Sequence, residues 1–155
     1  MARGRLRLTA TGGADRATIE GMEPSPSGHR ETAYDLLRRG EELLRSHHHA
    51  QAAIVLERAA RLEPRKQSIL EALGRAYFNS GQHEQSRVTF HELLEIDPSA
   101  HYAHYALGQS LKRLGRTDEA RTHLKLAVAL SPRTALYRHA LGRLPLPVEP
   151  DPPES

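Results

Sequence analysis

Residues 70–98 read LEALGRAYFNSGQHEQSRVTFHELLEIDP, and residues 104–132 read HYALGQSLKRLGRTDEARTHLKLAVALSP. Laid one above the other they pair Leu73 with Leu107, Gly74 with Gly108, Gly81 with Gly115 and Pro98 with Pro132, each displaced by the same interval. A single unit has been copied in tandem. The same register carried upstream finds Gly40, Ala52, Leu56, Ala59 and Pro64 at the places of Gly74, Ser86, Phe90, Leu93 and Pro98, so a third, more divergent copy precedes the two clear ones.

Each copy holds two helical patterns. In the middle one Leu70, Leu73, Ala76 and Tyr77 share a helical stripe, the chain breaks at Ser80-Gly81, and apolar spacing resumes with Val88, Phe90, Leu93, Leu94 and Ile96. Asp97-Pro98 ends the second helix, because proline disfavours helical backbone in the residue before it. The following copy repeats this with Leu107, Leu111 and Leu114, a break at Gly115, and then Ala120, Leu124, Ala127, Val128 and Leu130. Thr117 is read as the N-cap of that last helix, with Asp118 and Glu119 complementing its dipole. The first copy predicts helices near 33–46 and 50–62, with a turn at His47–His49 and a stop at Pro64. After Pro132 the stretch ALYRHALGRL places Leu141-Gly142 one more such interval beyond Leu107-Gly108, which predicts the first helix of a fourth unit. Pro145, Pro147, Pro150, Pro152 and Pro153 forbid its second helix.

The recurrent small residues have a packing reason. Gly40, Gly74 and Gly108 on the first helices, and Ala52, Ser86 and Ala120 with Ala59, Leu93 and Ala127 on the second, are expected where paired helices approach closest. Tyr77, Phe90, Leu124 and Leu56 are expected to fill the wider gaps.

This pattern and its period of about 34 residues resemble the tetratricopeptide repeat. The resemblance implies an all-α, right-handed superhelical solenoid of three helix-turn-helix repeats, 33–66, 67–100 and 101–134, plus a C-terminal capping helix, 135–144, inside a domain spanning 31–144. Residues 1–30 are then a disordered N-terminal arm and 145–155 a Pro-rich acidic tail. The resemblance further implies a non-catalytic protein–protein interaction adaptor that holds a partner's peptide segment in the concave groove lined by the first helices. Carried over position by position, the peptide-binding groove comprises Tyr34, Leu37 and Arg45 from the first repeat and Arg75, Phe78 and Asn79 from the second. The third repeat contributes Tyr102, Tyr105, Gln109, Lys112 and Arg113, and the terminal helix His139 and Arg143. Aromatics beside cations suit a segment with acidic groups and one or two apolar anchors. The family's chaperone-tail clamp has its positions occupied here by Leu37, Glu41, Ala72, Tyr102 and Ala106, none of which matches.

Composition narrows the other classes. No stretch approaches the roughly 18–20 apolar residues that span a bilayer, so no membrane partner is expected. The chain has no cysteine, which removes disulfides, thiolate chemistry and cysteine-ligated zinc and fits a cytoplasmic location. His47-His48-His49 lacks a partnering carboxylate or histidine at ligand spacing and is read as a polar turn, so no metal and no cofactor are expected. No phosphate-cradling loop, nucleophile elbow or paired carboxylate marks a catalytic residue, so the chain is read as no enzyme. Residues 33–144 carry 17 basic against 12 acidic side chains, while 145–155 carry three acids and no base. The interleaved signs argue against nucleic acid, which stays as an alternative partner for the basic groove, beside a homo-oligomeric scaffold built by stacking repeat flanks. The acidic tail is read either as a free solubilising end or as a segment lying in the groove beside it. The arginine-bearing leader before Asp15 lacks amphipathic spacing, and Met22 is an alternative start.

Overall fold

The computed structural model describes residues 30–154, so the choice between Met1 and Met22 and nearly all of the expected N-terminal arm lie outside the described residues. The described part contains helices α1 (Ala33–Arg45), α2 (His49–Leu62), α3 (Gln67–Asn79), α4 (His83–Ile96), α5 (His101–Arg113), α6 (Thr117–Leu130) and α7 (Ala135–Gly142), with no strand among them. Three pairs, α1/α2, α3/α4 and α5/α6, stack in chain order through α2 on α3 and α4 on α5, and α7 packs on α6. The first helices of successive pairs also touch, α1 on α3 and α3 on α5, which makes them one continuous wall.

The close approaches fall at the three glycines as expected, but Leu56, Phe90 and Leu124, expected in the wider gaps, are the residues that sit on them. A Cβ built on Gly40 would lie 2.4 Å from Leu56 Cγ, one on Gly74 2.6 Å from Phe90 Cε2, and one on Gly108 2.8 Å from Leu124 Cγ. Phe90, Leu56 and Leu124 are completely buried against these glycines. Each pair is therefore locked by a large residue of its second helix seated on the bare backbone of its first. Ser86 adds a polar link: its hydroxyl donates to the Gly74 carbonyl at 3.0 Å, and Ser110 Oγ lies 2.9 Å from Ser86 Oγ. Tyr77 on α3 donates to the Glu57 carboxylate on α2, tying the first two repeats.

Helix ends show where local chemistry was and was not legible. α1 starts in a capping box, with Thr32 Oγ1 accepting from the Asp35 N–H at 3.1 Å and the Asp35 carboxylate accepting from the Thr32 N–H at 3.0 Å. Between paired helices, Gly81 (φ +83°) and Gly115 (φ +80°) take left-handed backbone, and His47 (φ 64°) occupies the same place in the first repeat. Thr117 is not a cap. The N-cap of α6 is Arg116, whose guanidinium instead reaches Glu119 at 2.6 Å, so Thr117 is already the first helical residue. Val88, Leu114 and Leu130, counted among the apolar stripes, stand exposed on the outside of the stack.

α7 supplies Tyr137 and Ala140 to the interior, and Leu144 just beyond it is buried in the same core as Leu124 and Ala120. From Pro145 onward the backbone forms no regular structure. The Pro145 carbonyl accepts a hydrogen bond from Arg121 on α6, which ties the first residue of the tail to a second helix. No helix among the described residues is long and apolar enough to cross a membrane.

Candidate peptide-binding groove

The first-helix wall carries a run of aromatic rings. Tyr102 on α5 meets the buried Phe90 edge-on at 6.2 Å between centroids, Tyr105 lies one turn further at 5.9 Å from Tyr102, and Tyr137 on α7 stacks on Tyr105 at 5.1 Å. The spacing is dictated by helix geometry: residues three apart on α5 share a face, and α7 delivers the third ring from the neighbouring helix. His101 Nδ1 lies 2.8 Å from the Tyr137 hydroxyl and fixes that ring from the far side. Burial raises the hydroxyl pKa of Tyr102, with Arg75 opposing and Glu71 reinforcing the shift. Burial likewise raises that of Tyr137, helped by Tyr105 and Glu71.

Cations flank the rings. Arg113, in the last turn of α5, sets its guanidinium over the Phe78 ring of α3 at 5.4 Å, a cation–π contact that leaves the arginine exposed. Phe78 is held on its other side by His83 at 5.0 Å. Arg75, Lys112 and Arg143 are exposed on α3, on α5 and at the C-cap of α7. Gln109 Nε2 reaches the Tyr105 hydroxyl at 3.5 Å, while its Oε1 is buried without a hydrogen-bond partner.

The remaining carried-over positions are less concentrated. Tyr34 is 64% exposed, with Arg38 at 6.0 Å from its ring. Arg45, Asn79 and His139 are exposed on α1, α3 and α7 without joining the aromatic run. Leu37 does not face outward: it is buried in the core of the first two repeats with Leu36 and Leu44. Tyr137 was missed. It sits one repeat interval after Ala103, a buried core position, so the register assigns it to packing; its ring is indeed buried, and what the register does not show is that it stacks behind Tyr105.

A second polar cluster lies on the opposite side, between α4, α5 and α6. His104 is buried, with Nε2 2.9 Å from the Pro98 carbonyl and Nδ1 3.2 Å from His123 Nδ1. Because the carbonyl can only accept, His104 carries its proton on Nε2 and His123 must donate from Nδ1. Beside them a cavity of about 320 Å³ is walled by Arg87, Arg116, His91 and Glu119 over Leu107 and Leu111. Its arginines are already engaged, Arg87 with Glu84 and Arg116 with Glu119. In the histidine turn Ser46 Oγ lies 2.9 Å from His48 Nδ1, and the His47 and His49 rings meet edge-on at 5.6 Å.

The architecture is shared with solved structures of low sequence identity. The first repeat domain of Spaghetti (RPAP3), solved bound to the HSP90 peptide SRMEEVD, is 15% identical over 72% of this chain and 89% of its own, with a TM-score of 0.69. YrrB, described as a repeat protein with an unusual peptide-binding site, is 22% identical over 74% of this chain and 59% of its own, also at 0.69. MamA from Desulfovibrio magneticus RS-1 is 19% identical over 72% of this chain and 63% of its own, again at 0.69. This chain thus spans about three-fifths of the latter two. At these identities the likeness is one of fold. No curated protein matches the chain by sequence. The family model described as tetratricopeptide repeat matches twice in overlapping registers, at residues 37–101 and 72–135. Together these cover well over half of the sequence, and the chain belongs to the tetratricopeptide repeat family.

Proposed function

We propose that this protein is a non-catalytic cytoplasmic adaptor that holds an extended segment of a partner protein against the first-helix wall, between α3, α5 and α7. The observation that carries the reading is the half-buried pair Tyr102–Tyr105, backed by the buried ring of Tyr137 and bordered by exposed Arg75, Lys112 and Arg113. Rigid rings give apolar area at small entropic cost, and the arginines and lysine add directional attraction for carboxylates. Two structural relatives are described with peptide or peptide-binding site, which supports this class of activity without naming a ligand. The clamp residues of the chaperone-tail binders are replaced here, so the acidic segment is read along its length by rings and cations rather than gripped by its end.

The test is capture of partners by the intact protein and by a Lys112→Ala, Arg113→Ala variant, with Lys125→Ala on the outer face of α6 as control. Loss in the groove variant at unchanged melting temperature, with capture retained by the control, is the expected result. Capture retained by the groove variant moves the site elsewhere. Salt-sensitive binding of a random oligonucleotide, lost with the same two cations, would replace the peptide with nucleic acid.

A further inference from the structure

The segment after α7 has the composition that the groove fits. Residues 145–154 read PLPVEPDPPE, with five prolines, three acids and two apolar side chains, Leu146 and Val148, that are 87% and 94% exposed. Such a run favours the polyproline II helix, which is extended before binding and loses little entropy when it docks. Aromatic-lined grooves are the usual receptors for that conformation, because flat rings pack against proline faces. At about 3.1 Å per residue the ten residues reach roughly 30 Å. Crossing α7, α5 and α3 takes two interhelical steps of about 9 Å each. The tail is long enough to span all three helices, laying Leu146 and Val148 on Tyr102 and Tyr105 and Glu149 and Asp151 near the cations.

The tail does not start from its own groove. Leu144 is buried, and Arg121 holds the Pro145 carbonyl on α6, so the first residue of the tail is tied to a second helix and not to the first-helix wall. Charge completes the match, since the helical part is net basic and the tail carries only acids. We infer that the α3–α5–α7 groove takes the proline-rich acidic segment 145–154 of a second copy of this chain. The inference rests on the groove reading above and makes self-association a competitor of the foreign partner: occupied grooves are closed, and dilution or partner excess opens them.

The experiment uses the full chain in sedimentation across a wide concentration range. Wild type is expected to pass from monomer to larger species as concentration rises, with the midpoint moving to higher concentration in added salt. A groove variant, Lys112→Glu with Arg113→Glu, and a tail variant, Glu149→Lys with Asp151→Lys, should each stay monomeric to at least tenfold higher concentration with unchanged helical content. Mixing the two variants should restore association, since an acidic groove then meets a basic tail. Association that survives in the tail variant, or that is not restored on mixing, overturns the inference in favour of flank-to-flank stacking. A wild type that is monomeric throughout also overturns it, whether the tail is free or lies in its own groove. If partner capture still depends on Lys112 and Arg113 in that monomer, the groove reading survives; if it does not, both fall.

Discussion

Gly74→Ala is the smallest change that tests how the repeats are held together. The added methyl would sit 2.6 Å from Phe90 Cε2, 2.7 Å from Cζ and 3.0 Å from Cδ2. Ordinary carbon contacts fall at about 3.5–4.0 Å, so α3 and α4 must part by roughly 1 Å or the ring must move. Phe90 is completely buried and packed with Leu70, Leu94 and Leu107, so it has nowhere to swing. Overpacking of this kind costs about 1–3 kcal/mol. Alanine is the better helix former by about 1 kcal/mol, which offsets part of it. The net loss is about 0–2 kcal/mol, at most on the order of 8 °C in melting temperature for a domain of this size. Gly142→Ala is the control, because nothing lies within 4 Å of its Cβ position. It should be neutral or gain up to about 1 kcal/mol. In a Phe90→Val background the ring atoms are gone, and Gly74→Ala should become neutral or stabilising, a coupling visible as non-additive urea midpoints. Equal stabilities for Gly74→Ala and Gly142→Ala, or full additivity with Phe90→Val, would refute the claim that this glycine exists to seat the ring.

Two further outcomes follow from backbone and from protons. Gly115→Ala meets no atom within 4 Å yet should cost about 1 kcal/mol because its φ is +80°, whereas His47→Gly, which relieves the same conformation at 64°, should be neutral or stabilising by thermal melting. Burial, and then the proximity of His104 and His91, lower the pKa of His123, so the unfolded chain binds the proton more readily than the folded one. Its stabilisation is complete above about pH 6.5 and is lost as pH falls through the histidine range. Urea midpoints measured from pH 7.5 to 5 should decline for wild type and less steeply for His123→Gln; identical slopes would count against the stacked pair as a source of acid sensitivity.

Fold was legible because it is written several times over. Gly40, Gly74 and Gly108 each face a large partner at one constant spacing down the chain, Leu56, Phe90 and Leu124, and a spacing that recurs in every pair admits few explanations other than a repeated contact. What the repetition could not supply is what breaks the period. Thr117 carries a good capping side chain, but the register places the helix start at the site of His48, Gln82 and Arg116, and the backbone geometry of the tight turn overrides side-chain preference. Val88 and Leu130 obey apolar spacing yet lie on the outer face, because a stack only one pair thick has no further layer to cover them.

The site was legible in the opposite measure, since binding residues are those in which the copies differ. Transferring family positions brought Tyr102, Tyr105 and Arg113 to one wall but also returned Leu37, whose own repeat turns it into the core against Leu36 and Leu44. Tyr137 shows the converse. At its position Ile69 and Ala103 are buried between neighbouring first helices, and a tyrosine there keeps its ring against α5 while its hydroxyl reaches His101 at the surface. The ring itself stays buried, so Tyr137 keeps its packing role and supports Tyr105 from behind rather than facing a ligand. Helix α7 thus does more than cover the last pair: the buried Tyr137 stacks on Tyr105 and, tied to His101 through its hydroxyl, fixes from behind a ring of the proposed groove.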